Sequence, residues 1–131
     1  MKLLLDTQCL LWWFTTPEKL NTEAIEQIVD QDNELFFSVA SVWEIAIKVG
    51  IGKLPLTESV ETYVARRMQL LGAKYLEIIF PHACRITTLP LLHRDPFDRI
   101  LIAQTQIEKM TLVTADQILT QYPIDCLWAK A

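Results

Sequence analysis

The chain has 131 residues, of which 51% are hydrophobic and 21% charged, with only 3 glycines. That excludes a disordered chain and fits one domain long enough to bury a sizeable core. A net charge of −4 excludes the usual sequence-independent binder of nucleic acid, whose phosphate contacts come from surplus Lys and Arg. Any nucleic-acid role must then rest on a local basic rim or on bound metal ions.

No apolar run approaches the ~20 residues that span a bilayer, so no membrane role is expected. The opening MKLLLDTQCLLWWF reads as mature protein, because Asp6 and Gln8 interrupt it and no small-residue cleavage site follows. Cys9, Cys84 and Cys126 are odd in number and far apart. They form neither a zinc pattern nor a disulfide framework, and read as reduced, buried thiols of a cytoplasmic protein.

In chain order, Lys2 to Leu5 predicts a short central strand. Gln8 to Phe14 predicts a short helix ended by Thr15-Thr16-Pro17. In Asn21 to Gln31, Ala24, Ile25, Ile28 and Val29 share one face of an amphipathic helix. Glu34 to Val39 predicts a second strand. Ser38 or Ser41 caps the following helix, which Gly50 and Gly52 stop. Thr57 to Leu71 is helical, with Thr57 as cap and Gly72 as stop. Tyr75 to Phe80 predicts a third strand, and His82 to Leu89 a short helix before Pro90. Pro96 to Met110 is a long helix, Thr111 to Thr114 a fourth strand, Gln117 to Gln121 a helical turn or two, and Cys126 to Trp128 a short last strand. Strands alternate with helices and two-residue hairpin signals are absent. The expected fold is α/β: a three-layer α/β/α sandwich with a mainly parallel central sheet.

In such sheets, sites form outside the carboxyl ends of the strands. Those junctions carry Asp6, Glu44, the pair Asp95 and Asp98, and Asp116. A set of carboxylates without His or Cys selects Mg²⁺ or Mn²⁺ over zinc. Each acid also has a structural alternative. Asp6 and Asp116 can cap the helices that follow them, and Glu44 can pair with Lys48, four residues on. Crowded like charges raise one another's pKa and destabilise the fold unless a cation sits among them.

The pair in HRDPFDR divides by geometry. With Pro96 at the first helical position, Asp95 is the N-cap, bonding the amides of Phe97 or Asp98, and Arg99 is a possible partner for it. Asp98, at the third helical position, stands beside Leu101 and Ile102 near the inward face, with no cation one turn ahead. It needs a partner from elsewhere in the fold, so Asp95 reads as the cap and Asp98 as the ligand.

LLLDTQCLLWWF, SVASVWEIAIKVGIGKL, HRDPFDRILIAQ and LVTAD, in that order, resemble the PIN (PilT N-terminal) domain, and more closely the VapC-type toxins of toxin–antitoxin pairs. The resemblance covers nearly the whole chain, read as a single PIN-like domain over residues 1–131. It implies a Mg²⁺- or Mn²⁺-dependent endoribonuclease in which Asp6, Glu44, Asp98 and Asp116 hold the metal, with Thr114 and Asp95 as supporting residues. It implies in-line attack by a metal-activated water, leaving a 5′-phosphate and a 3′-hydroxyl, without a histidine base. His82 and His93 then read as capping or packing residues. Gln8 departs from the His usual in close relatives. The implied partners are an RNA substrate, a cognate antitoxin and a second copy of the chain. Lys48, Lys53, Arg94 and Arg99 are candidate RNA contacts. The cluster Trp12, Trp13 and Phe14 is a candidate association surface, its structural alternative being two buried rings and one partly exposed.

Two other classes compete. A non-catalytic partner-binding module of the same fold would use the acids as caps and ion pairs. A phospho-acceptor receiver or an aspartate phosphatase would need a second acid beside Asp6. Leu5 and Thr7 flank Asp6, and residue 8 is Gln.

Overall fold

A computed structural model describes residues 1–131. Five strands form one sheet in the order β3-β2-β1-β4-β5, and every neighbouring pair is parallel. The strands are β1 (Lys2–Leu5), β2 (Glu34–Ser38), β3 (Lys74–Leu76), β4 (Thr111–Thr114) and β5 (Asp125–Trp128). Six α-helices connect them: α1 (Thr7–Thr15), α2 (Thr22–Val29), α3 (Val39–Gly50), α4 (Val60–Leu71), α5 (Phe80–Arg85) and α6 (Pro96–Glu108).

Two separate cores explain why the middle of each central strand is apolar on both faces. Leu3 and Leu5 of β1, Leu35 and Phe37 of β2, and Val113 of β4 point to one face, where they meet Leu10, Ala24, Ile45 and Val64. Leu4 and Leu112 point to the other, onto Leu101 and Ile102 of α6. Alternate residues of a strand face opposite sides, so a strand covered on both sides carries no polar position. The three-layer sandwich is thus the expected one, with a sheet that is parallel throughout. No helix is long and apolar enough to cross a membrane.

Several boundaries differ from the sequence reading. The third strand ends at Leu76, and Phe80 already opens α5. Pro81 lies in the first turn of α5, where its missing N–H costs no helical bond, so the apolar run Ile78 to Phe80 leads into a helix. That helix ends at Arg85, and Ile86–Thr88 is a 3-10 turn. Helix α4 is capped by Ser59, whose hydroxyl accepts from the Thr62 amide at 3.1 Å, and not by Thr57. It closes on Gly72, at φ 69°, a left-handed conformation that favours glycine. Of the two candidate caps for α3, Ser38 serves, accepting from Ala40 N at 3.0 Å. Cys9 is buried, Cys126 half-buried and Cys84 exposed, so burial holds for only one of the three thiols.

Trp12, Trp13 and Phe14 do not divide between core and surface. All three are half-buried and pack against the same core. Exposed apolar side chains occur at several places, among them Phe80, Leu91 and Leu70, and one set forms a stripe along α3. Val39, Trp43 and Ile47, with Ile51 just beyond the helix, recur every fourth residue, and Trp43 is 59% exposed.

Candidate active site

The sheet reverses its winding at β1, whose neighbours β2 and β4 lie on opposite sides. The carboxyl ends of β1 and β4 meet at this switch point, the usual place for a site in an open α/β sheet. Asp6 directly follows β1, and its amide donates to the Val113 carbonyl of β4 at 3.0 Å. Its side chain is 5% exposed. One oxygen accepts from Cys9 N at 2.7 Å, capping α1, and the other from Ala115 N at 3.3 Å, just beyond β4. Burial pushes the Asp6 carboxyl above its usual range, against the pull of hydrogen bonds from Thr114, Cys9 and Ala115. Asp6 is therefore both the cap the sequence allowed and a buried acid whose charge the surroundings do not balance.

Thr114 and Asp116 complete the β4 side. The Thr114 hydroxyl accepts from the Asp116 amide at 3.0 Å, and the Asp116 carboxylate caps the following 3-10 turn through Ile118 N at 3.1 Å. Asp6 and Asp116 line a common cavity of about 460 Å³ with Gln8, Gln117, Trp128 and Lys130.

Glu44 enters from α3. Its Oε1 accepts from the Thr7 hydroxyl at 2.7 Å, which ties it to the residue after Asp6. Its Oε2 lies 3.3 Å from Lys48 Nζ, so the ion pair one turn along the helix is also formed. The two readings of Glu44 are compatible, since its two oxygens serve different neighbours.

Asp95 and Asp98 divide as their spacing predicts. Asp95 Oδ1 accepts from Phe97 N at 2.9 Å and Asp98 N at 3.1 Å. Asp98 finds its partner outside the helix: its Oδ2 lies 3.1 Å from His93 Nε2. Burial lifts the Asp98 carboxyl from 3.8 to about 6; the His93 bond opposes this, and the charges of Asp95 and Asp116 add to it. The Asp116 charge thus acts on Asp98, although Asp98 does not line the cavity that Asp6 and Asp116 share.

Arg99 departs from both roles its sequence position offered. It is 8% exposed and does not pair with Asp95. Its guanidinium donates to the Pro90 carbonyl at 2.9 Å and the Tyr122 hydroxyl at 3.0 Å, with longer bonds to the His93 and Ile86 carbonyls at 3.4 Å. At this burial, and with its guanidinium spent on bonds within the chain, it is not a free surface cation. It ties the loop before α6 together, because a planar five-donor group can satisfy several carbonyls at once. His93, expected to cap or pack, packs edge-on against Tyr122 and also contacts Asp98, a partner for which its spacing carries no signal. His82 is a packing residue, 1% exposed, with Nε2 2.8 Å from Glu108 and Nδ1 accepting from Ile79 N.

The donors suit a hard divalent cation in kind: carboxylates, a threonine hydroxyl and no thiolate. No three His, Cys, Asp or Glu side chains are placed to enclose one ion. Mg²⁺ does not require that, since it keeps several waters and binds through one or two carboxylates. A buried carboxylate and a half-buried one, Asp6 and Asp98, both with raised pKa, fit such an ion.

The layer order and the carboxylates at the switch point define an α/β domain with an acidic site. The chain belongs to the PIN domain family, whose model matches residues 3–124. Ribonuclease VapC16 of Mycobacterium tuberculosis is 43% identical over 61 residues, which is 47% of this chain and 42% of that protein, so the match spans less than half of either. Among solved structures, VapBC2 from Rickettsia felis, bound to a DNA fragment from their promoter, is similar with TM-score 0.76 over 99% of this chain and 100% of that one, at 14% identity. FitAcB from Neisseria gonorrhoeae is similar with TM-score 0.64 over 95% and 96% of the two chains, at 16% identity. At these identities the structural likeness is one of fold. The resemblance to VapC proteins seen in the motifs is borne out by the family match and by the 61 residues shared with Ribonuclease VapC16.

Proposed function

We propose that the protein is a Mg²⁺- or Mn²⁺-dependent endoribonuclease that acts as the toxin of a toxin–antitoxin pair. The observation that carries this is a pair of carboxylates lifted above their usual range by burial, Asp6 fully buried beside β1 and Asp98 half-buried at the start of α6, with Asp116 and Glu44 as further acids and no Lys or Arg paired with Asp6 or Asp98. With no cation near them, Asp6 and Asp98 would cost stability when charged, which disfavours the non-catalytic binding module. Asp6, Asp98 and Asp116 would hold the cation between them, one or two directly and the rest through its waters, with Glu44 tied in through Thr7. When bound, the cation supplies a water of lowered pKa as nucleophile and offsets charge on the phosphate.

The remaining work falls to side chains around the pocket. Gln8 is exposed and lines both the acidic cavity and a neighbouring groove of about 560 Å³ that also holds Trp12, Lys19, Lys48 and Lys53. An RNA strand leaving the carboxylates crosses Gln8 into this groove, where lysines meet phosphates and Trp12 offers a face for stacking. Lys53 and Arg94 are exposed and make no ion pair, so they are available to phosphate. Lys48 is shared with Glu44. The antitoxin would block the same pocket with a basic side chain, as in VapC-type pairs.

The decisive test is cleavage of an end-labelled RNA mixture by protein freed of any antitoxin. Cutting is expected with Mg²⁺ and is expected to stop with EDTA. Cutting that persists in EDTA would defeat the metal-dependent reading.

The apolar stripe of Val39, Trp43, Ile47 and Ile51 is the surface we assign to the second copy of a homodimer, because an exposed helical face of this kind is normally covered. Light scattering should report a dimer, and Trp43→Asp with Ile47→Asp should give a folded monomer. A wild-type monomer at micromolar concentration would remove this assignment.

A further inference from the structure

The loop before α6 holds a chain of polar contacts that ends on Asp98. Arg99 Nη1 donates to the Tyr122 hydroxyl at 3.0 Å. That hydroxyl lies 2.7 Å from His93 Nδ1, and His93 Nε2 lies 3.1 Å from Asp98 Oδ2. The direction of these bonds follows from the proton count. Tyr122 is 3% exposed and its oxygen already accepts from Arg99. Its one proton needs an acceptor, and His93 Nδ1 is the acceptor within reach. An imidazole that accepts at Nδ1 carries its proton on Nε2 and donates it to Asp98. The series therefore runs one way, from Arg99 through Tyr122 and His93 to the carboxylate. It consumes Oδ2 and leaves Oδ1 without a bond inside the chain.

We propose that His93, braced by Tyr122 and Arg99, is a positioning residue that fixes the Asp98 carboxylate for the divalent cation. This rests on the metal-site reading above and adds to it a residue that touches neither metal nor RNA. The anchor is rigid at each step. Arg99 is held by the Pro90 carbonyl, and the Tyr122 ring packs in the core around α6. The His93 ring lies 5.5 Å from the Tyr122 ring at an interplanar angle of 64°, an edge-to-face contact that limits its rotation. A carboxylate with one oxygen fixed loses less freedom when the other binds an ion, which is the usual gain from a hydrogen bond behind a metal ligand.

Mn²⁺ affinity, measured by titration calorimetry or by the electron paramagnetic resonance of free Mn²⁺, separates this role from plain packing. His93→Ala is expected to weaken binding by about 10- to 100-fold. Tyr122→Phe, which removes only the hydroxyl, should weaken it in the same direction by less. His93→Gln, whose amide can donate to Asp98, should recover part of the loss. In an Asp98→Asn background the effect of His93→Ala should vanish, because there is no ligand left to position. Wild-type affinity in His93→Ala overturns the proposal. If that variant does not fold, unchanged affinity in Tyr122→Phe overturns it instead. A wild-type protein that does not bind Mn²⁺ overturns the metal site itself, and the proposal with it.

Discussion

Asp98→Asn is expected to lower metal-dependent RNA cleavage by at least about 100-fold and, in the same protein, to raise the stability of the metal-free fold. The first effect follows from its proposed role as a metal ligand. Removing a hydrogen-bond partner behind a metal ligand typically costs about 10- to 100-fold, and removing the ligand's charge should cost no less. The second follows from burial. Asp98 titrates at about 6 in the folded chain against 3.8 ordinarily. The folded state therefore keeps the proton to higher pH than the unfolded chain does. The associated stability is fully present below about pH 4 and is lost as pH rises through about 6. At pH 7.5 the carboxylate costs the metal-free fold roughly 1–3 kcal/mol. Asparagine has no charge to desolvate, and its carbonyl oxygen can still accept from His93. The variant should thus melt higher than wild type at pH 7.5, and the gap should close towards pH 4.

Saturating Mg²⁺ should reverse that order, because an ion that binds only the folded state stabilises it and the variant has lost a ligand. Thermal melts of both proteins at several pH values, with and without Mg²⁺, measure all of this. A variant less stable than wild type in EDTA at pH 7.5 would show that the carboxylate is satisfied within the chain. The pocket would then have no electrostatic reason to bind a cation.

Arg99→Met is expected to cost about 2–4 kcal/mol in urea denaturation. Methionine fills most of the volume but donates nothing. The Pro90 carbonyl and the buried Tyr122 hydroxyl both lose their charged donor, and the His93 and Ile86 carbonyls lose a longer contact. Arg99→Lys should recover only part of the loss, since one ammonium cannot reproduce a planar fork. Mn²⁺ affinity should fall as well, because His93 loses its brace through Tyr122. A surface arginine that contacts RNA would behave otherwise: stability within about 0.5 kcal/mol of wild type, and a weaker, less salt-dependent RNA affinity. The two outcomes separate on the denaturation curve alone.

What the sequence could settle was local. Leu3, Leu4 and Leu5 in a row predict a strand buried on both faces, and the two cores show why. Pro96 after Asp95 predicts the cap of α6, and both expected amide bonds are formed. Asp6 and Asp116 were legible as caps and as strand-end acids together. Glu44 was legible as a partner of Lys48. Each of these inferences spans at most four residues, the range over which helix and strand geometry fixes who can meet whom.

The tertiary structure decided the rest. Glu44 reaches Thr7 across 37 positions, Asp6 reaches Ala115 across 109, and Arg99 reaches Tyr122 across 23. His93 lies only five positions from Asp98, yet the loop around Pro90 must fold back before they meet. The end of β3 turned on whether β2 still offered carbonyls and amides to pair with. The half-burial of Trp12, Trp13 and Phe14 turned on one core accepting three adjacent rings. Periodicity carries a residue's face but not the partner that waits there. The sequence therefore determined which acids stand at the element junctions, and the packing of α6 against its own preceding loop decided that Asp98 meets His93.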